Sequence, residues 1–350
     1  MFSLRERGYQ VGWGQRKRFE ETMPKDLIHF DTAKRTARGL ADTRFAPCLA
    51  AEGHGLLLGS VFHDALFYAA WPGDAPLERL AHALHGAQGE DTYALVRMLT
   101  THARRNGSSL AVSILVGVVS HLFADAVMHP LVWHLTGDYY ATDAKARSLA
   151  RQRHRALESL MDMVACPHML GRSRYSLRFM LHRCPALLEN GLPVADLAAM
   201  AGMDSDAARA GLARAWRIFA LFQAAYWSRP LALAAFALRP HLPPTAAELA
   251  ALAYAPQLLR QARPLSGSIS FRHPVTGERH SATLDQLTDE AAQRAAALCR
   301  KLEPAVFGPK PLEPNRIAPG ETGPSMDAGL PGVESGRMRH FADPPFPELA

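Results

Sequence analysis

The segment Ser120–Gly137, SHLFADAVMHPLVWHLTG, follows ten almost wholly apolar residues, Leu110–Val119, and carries His121, Asp125 and His129 within that apolar surrounding. The three polar residues are spaced four apart. On an α-helix each step of four adds roughly 40° of rotation, so all three fall within about 80° of arc. A helix this apolar is buried, and a buried carboxylate between two imidazoles needs partners. A metal ion satisfies all three at once. A core helix whose polar residues bond one another is the plain alternative, and the rest of the chain has to decide between them.

Further residues of the same chemistry are spread along the first half of the chain. His154 and Glu158 in HRALE share a helix face at i, i+4, with Asp162 one turn on as a candidate orienter. Asp64 in GSVFHDALFY is a carboxylate in an apolar segment, costly unless paired. His85 in HGAQGED stands before a glycine, which permits close backbone approach, and His29 lies beside the first predicted helix's other acid, Asp31. The candidate metal ligands are therefore His29, Asp64, His85, His121, Asp125, His129, His154 and Glu158. They offer only nitrogen and oxygen, which suits zinc in catalytic sites rather than structural cysteine sites, and they exceed what one ion can use. Cys48, Cys166, Cys184 and Cys299 form no CxxC pair and read as free thiols.

Hydrophobic spacing predicts helices over about 26–40, 77–84, 92–105, 110–129 and 144–165, several Ala- and Leu-rich segments between 176 and 259, and a last helix over 284–302. Ser108 or Ser109 is placed to cap the central helix. Pro130 lacks an N–H and would clash with the carbonyl of Ala126, so that helix is predicted to kink or stop near His129. The passage 266–283 alternates around a Pro-Val-Thr-Gly turn and predicts a small β-hairpin. The fold class is all-α, a multi-helix bundle over 23–308. Residues 1–22 are Arg-rich without a clear period, and 309–350 are rich in Pro and Gly, so both are predicted to be disordered.

Residues 1–22 contain no apolar core of a secretory signal, and no apolar run reaches the ~18–20 residues of a membrane span. The expectation is a cytoplasmic protein without a transmembrane segment, with peripheral membrane contact open. A net charge of +6 suits an anionic substrate or a membrane surface, but is too small to argue for nucleic acid without a basic stripe.

Taken in order, the words MPKDLIHF, LLLGSVFHDALFY, LHGAQGED, HLFADAVMHP and HRALESLMD resemble the zinc-dependent phospholipase C superfamily, which also includes fungal single-strand nucleases and the catalytic domain of a glycosylphosphatidylinositol-specific phospholipase D. The resemblance covers roughly Pro24 to Pro167, with a looser fit to about Phe307. It implies a compact helical bundle with zinc ions at the bottom of a cleft. One zinc would be bound by Asp64, His85, His121 and Asp125, and a second by His129, His154 and Glu158. A third would share Asp125 and add His29, giving two or three ions in all. Secreted members bind the third zinc through an N-terminal Trp, whereas Trp13 is internal here. Translation from Met23 with removal of that residue would leave the amine of Pro24 five residues before His29. Those members also place one ligand further past the Asp, after the Pro, a position that His134 would fill instead of His129.

The resemblance implies a metal-dependent phosphoric ester hydrolase, with phospholipase C-like cleavage of a phospholipid by a metal-activated water and Asp64 as the catalytic carboxylate. The partners implied are a phospholipid or another phosphodiester and a transient membrane surface, with nucleic acid left open. Two other readings stand beside it. One is a nuclease or nucleotidase on the same metal scaffold, for which Trp71, Trp133 and Tyr139–Tyr140 are candidate stacking platforms. The other is a metal-binding protein without catalysis.

Overall fold

The apolar stretch does form one long helix, Ser109–Thr136, and every residue from Leu110 to Trp133 is buried. A helix that is apolar all round belongs at the centre of a bundle, and this one is packed on all sides. By length and composition it could cross a membrane, yet it lies wholly inside the protein. The computed structural model describes residues 26–69, 72–308 and 321–349. The predicted extension 1–22 with Trp13, the Met23–Pro24 start, Trp71 and residues 309–320 lie outside the described residues.

In chain order the α-helices among the described residues are α1 (Asp26–Gly39), α2 (Ala46–Ala51), α3 (Gly53–Gly59), α4 (Phe62–Ala65), α5 (Ala75–His85), α6 (Tyr93–Asn106), α7 (Ser109–Thr136), α8 (Ala144–Ala165), α9 (Leu177–Arg183), α10 (Val194–Ala201), α11 (Ser205–Trp227), α12 (Arg229–Leu238), α13 (Pro244–Ala250) and α14 (Leu284–Phe307). Ser108 caps α7, its hydroxyl accepting from the Ala111 N–H at 3.3 Å. The predicted hairpin is present as β1 (Ile269–Arg272) and β2 (Arg279–Ala282), antiparallel with Ile269 opposite Ala282 and Arg272 opposite Arg279. Among the described residues the protein is all-α apart from this pair and two isolated bridges.

Helices α1, α2, α3, α6, α8 and α14 surround α7. The α3 crossing is unusually close. A Cβ on Gly117 would lie 2.2 Å from the Leu56 carbonyl oxygen, and one on Gly59 would lie 2.4 Å from that of Ile114. Only glycine at both positions lets the two backbones touch. That contact sets the distance between the Asp64 segment and His121.

Two expectations need correction. Of the kink or stop expected near His129, the stop is absent: α7 runs through Pro130 to Thr136. Proline removes one ladder hydrogen bond, and burial of the surrounding apolar residues holds the helix together across the gap. Residues 321–349, predicted as part of a disordered tail, are packed along the bundle, with Met326 and Ala328 fully buried. Separate bonds hold this segment in place: Gly323 N–H to Asp91 Oδ1, Thr92 Oγ1 to the Pro324 carbonyl, Ser335 N–H to the Ala87 carbonyl and Ala342 N–H to the His134 carbonyl. Such bonds leave no hydrophobic period in the sequence.

Candidate metal centre

Five elements bring the candidate ligands together around the middle of α7. Helix α1 supplies His29, α4 supplies Asp64, the last residue of α5 is His85, α7 supplies His121, Asp125 and His129, and α8 supplies His154 and Glu158. All eight are buried, none more than 6% exposed. Gly86, in the left-handed region at φ 72°, stops α5 at His85 and turns the chain away.

Three groups result: His29, His121 and Asp125; Asp64, His85 and His121; and His129, His154 and Glu158. In the first, His29 Nε2 is 3.3 Å from Asp125 Oδ1 and His121 Nε2 is 3.2 Å from Asp125 Oδ2. In the second, His85 Nε2 and His121 Nε2 both lie 3.6 Å from Asp64 Oδ1. In the third, His129 Nε2 and His154 Nε2 are 3.4 and 3.2 Å from Glu158 Oε1. Ligand atoms about 2.0–2.1 Å from a tetrahedral zinc are separated by roughly 3.4 Å, so these spacings suit a shared ion. A single Nε2 bonds one ion, so His121 can serve only one of its two groups. Asp125 joins the set, because Oδ1 also lies 3.8 Å from His129 Nε2 and Oδ2 lies 3.9 Å from His85 Nε2.

The backbone fixes which ring nitrogen faces inward. His85 Nδ1 lies 2.7 Å from the Ala81 carbonyl, His121 Nδ1 2.9 Å from that of Ser60, and His129 Nδ1 2.9 Å from that of Met326. A carbonyl only accepts, so each Nδ1 carries the proton and each Nε2 is the atom left for a metal. Both oxygens of Asp64, Nε2 of His85 and His121, Oδ2 of Asp125, Oε2 of Glu158 and both nitrogens of His154 have no hydrogen-bond partner. Leaving a buried polar atom unmet costs about 1–3 kcal/mol. So many together fit a site that a cation completes, and the imidazole–carboxylate donor set fits zinc.

The electrostatics of the protein without metal point the same way. Burial alone would lower the pKa of His121, but the Asp125 and Asp64 carboxylates outweigh it and raise it to about 9. Burial is likewise outweighed at His129, where Asp125 and Glu158 raise the pKa to about 10. Burial would raise the Glu158 carboxyl, and the His154 and His129 rings instead hold it at about 2. His29 goes the other way, to about 4, through burial and the neighbouring His121 charge. Protons on His121 and His129 occupy the places a cation would take.

A cleft between α1, α7 and α8 reaches this cluster. His29, Asp125, His129 and Glu158 line it together with the apolar side chains Ile28, Met128, Val132 and Met161. His134, the alternative to His129, lies outside all three groups and its Nδ1 bonds the His340 carbonyl at 2.7 Å. Asp162 does not orient the α8 ligands. Its carboxylate accepts the N–H groups of Leu27 and Ile28 at 2.9 Å each, together with the Tyr254 hydroxyl at 2.6 Å, and so pins the start of α1 beside His29.

Sequence reasoning missed His63 and the 326–327 segment. His63 is fully buried, its ring stacks on His121 at 4.5 Å, and neither nitrogen is bonded. Its signal was legible, as a histidine adjoining Asp64 in the same apolar word. The Met326 carbonyl left no signal, because any residue could have supplied it.

The family described as zinc dependent phospholipase C matches residues 28–192, a span that holds all eight candidate ligands and neither the hairpin nor residues 321–349. No curated protein and no solved structure matches the chain.

Proposed function

From the premise that residues 28–192 belong to the zinc-dependent phospholipase C family, we propose that this protein hydrolyses a phosphodiester, and that its substrate is a phospholipid met at a membrane surface. The observation that carries the reading is the pairing of three metal-suited groups with a cleft walled by Ile28, Met128, Val132 and Met161. The polar lining suits a phosphate, and the apolar side chains beside it suit the adjoining part of a lipid rather than a nucleobase. Base binding calls for aromatic platforms. No aromatic ring besides imidazole lines the cleft among the described residues: Trp133 and Tyr139 are each only 1% exposed, and Tyr140, 44% exposed, is not part of the lining.

Asp64, His85 and His121 would hold one zinc, His129, His154 and Glu158 another, and Asp125 with His29 a third. Bound there, zinc supplies positive charge against the non-bridging phosphate oxygens and acidifies a water. The chain's own residues do the remainder. Asp64, with both oxygens unbonded by protein groups, orients the attacking water and accepts its proton. The walls of the cleft exclude bulk water from the phosphate. Asp162 holds His29 at its place by fixing the start of α1.

Zinc analysis of the purified protein, with hydrolysis assays on a choline phospholipid and on single-stranded DNA, tests the reading. The expected result is more than one zinc per chain and headgroup release from the lipid. Cleavage of DNA alone would make the protein a nuclease, and bound zinc without phosphodiesterase activity would make it a binding protein. Asp64→Asn should abolish turnover while retaining most of the zinc. Full activity in that variant would remove Asp64 from the mechanism.

A further inference from the structure

We propose that residues 321–349 are a working part of the metal centre, and that Asp327 is a positioning residue for His129. The inference rests on the zinc reading above and extends it to a segment outside the family match. Met326 joins two of the ligand-bearing helices. Its N–H donates to the His85 carbonyl at 2.9 Å, and its carbonyl accepts from His129 Nδ1 at 2.9 Å. One residue therefore ties the end of α5 to the middle of α7.

Asp327 lies beside the same ring. Its Oδ1 is 3.8 Å from His129 Nδ1, too far for a hydrogen bond but close enough to stabilise the Nδ1–H tautomer by charge. Its other oxygen is bonded by the Ser335 hydroxyl, and the carboxylate is buried. A carboxylate or carbonyl behind a metal-ligating imidazole fixes the tautomer and makes the inward nitrogen a stronger donor. Here both stand behind one ring, and the inward nitrogen is Nε2, 3.4 Å from Glu158.

The approach of this segment is built into α7. Pro130 has no N–H to give the Ala126 carbonyl, and Gly329 of the segment packs against that carbonyl. A Cβ on Gly329 would lie 2.4 Å from the Ala126 oxygen, so a side chain there would push the segment off the helix. On the His85 side, the Gly323 N–H bonds Asp91 Oδ1 and the Ser335 N–H bonds the Ala87 carbonyl. On the His129 side, the Ala342 and Phe346 N–H groups bond the carbonyls of His134 and Leu135. The segment is thus fastened at both ends of the stretch that touches the ligands.

The test is zinc affinity of the full chain, measured by competition with a chromophoric chelator, beside thermal unfolding of the zinc-free protein. Asp327→Ala and Ser335→Ala are compared with wild type. Loss of an outer partner of a metal ligand weakens binding about 10- to 100-fold, and that loss is expected for one zinc in Asp327→Ala, with a smaller loss in Ser335→Ala. Nitrogen-15 NMR of the zinc-loaded protein should show a shifted His129 Nδ1–H resonance in both variants. Unchanged zinc affinity and an unchanged His129 resonance, with only a lower melting temperature, would overturn the inference. If Asp327→Ala fails to fold, Ser335→Ala decides, because it keeps the carboxylate and removes only the bond that fixes it. A wild-type chain that binds no zinc would refute the functional reading as well, whereas zinc binding that the variants leave intact refutes this inference alone.

Discussion

Gly117→Ala is the sharpest probe of how the fold builds the site. The added methyl would lie 2.2 Å from the Leu56 carbonyl oxygen, 2.7 Å from the Ser60 nitrogen and 2.8 Å from the Gly59 carbonyl carbon. An ordinary contact of this kind needs about 3.5 Å, so α3 has to withdraw by roughly 1 Å. The obstacle is backbone, which cannot turn aside as a flexible side chain does. Overpacking of this sort costs about 1–3 kcal/mol, and the upper end applies here. For a chain of 350 residues, whose unfolding entropy is about 2.1 cal/mol/K per residue, that corresponds to a fall of about 4 °C in melting temperature. The same withdrawal moves the Ser60 carbonyl from 2.9 Å to roughly 4 Å from His121 Nδ1, beyond hydrogen-bond reach. His121 then loses its anchor, and zinc at the Asp64 group should weaken about 10- to 100-fold. Calorimetric melts of the zinc-free protein and chelator competition measure the two effects separately. Gly53→Ala is the control, since a Cβ there meets nothing within 4 Å. A Gly117→Ala protein with wild-type melting and wild-type zinc affinity would refute the argument that the glycine contact positions His121.

Asp162→Ala leaves the Leu27 and Ile28 N–H groups and the Tyr254 hydroxyl without their shared acceptor, which should destabilise the protein by about 3 kcal/mol in urea unfolding and release the His29 zinc first. Zinc uptake should release protons at neutral pH. In the zinc-free protein the pKa values of His121 and His129 lie at about 9 and about 10, so at pH 7 both rings carry protons that the metal must displace. Affinity should therefore rise with pH up to that range and fall toward acid. Calorimetric titration in buffers of different ionisation enthalpy measures the release, and a heat independent of buffer would contradict it. Asp125→Asn should lose more zinc than Asp64→Asn by metal analysis, because Asp125 faces imidazoles of all three groups and Asp64 faces those of one.

The ligands were legible because they sit on helices. Four-residue spacing in HLFADAVMH and HRALE reports a shared face directly, and an acid inside an apolar word reports a cost that something must meet. The boundaries of α8 and the Ser108 cap followed from the same local rules. What stayed hidden is carried by the main chain or by contacts far apart in sequence. Ser60 and Met326 contribute carbonyl oxygens, which every residue type possesses. The anchoring role of Asp162 depends on α1, more than 130 positions away. Residues 321–349 failed the test of periodicity because they dock through single bonds at Asp91, Thr92, Ala87 and His134 and through scattered buried side chains such as Met326, Ala328 and Met338 rather than a regularly spaced apolar face. A composition rich in Pro and Gly belongs to irregular ordered chain as much as to disorder, and spacing alone does not separate the two.

Pro130 shows how a local defect becomes part of the design. Read by itself, proline at that position argues for a helix end, since it removes a bond and crowds the preceding turn. The burial of α7 on every side offsets that loss, so the helix continues and the defect is confined to one carbonyl, that of Ala126. Gly329 packs against that carbonyl, without a side chain to hold it off. Once Gly329 lies there, Met326 and Asp327, a few residues before it, are within reach of the ring of His129, one residue before the proline. The docking point of the C-terminal segment therefore lies beside a ligand. There the Met326 carbonyl bonds His129 Nδ1 and leaves Nε2 directed at Glu158.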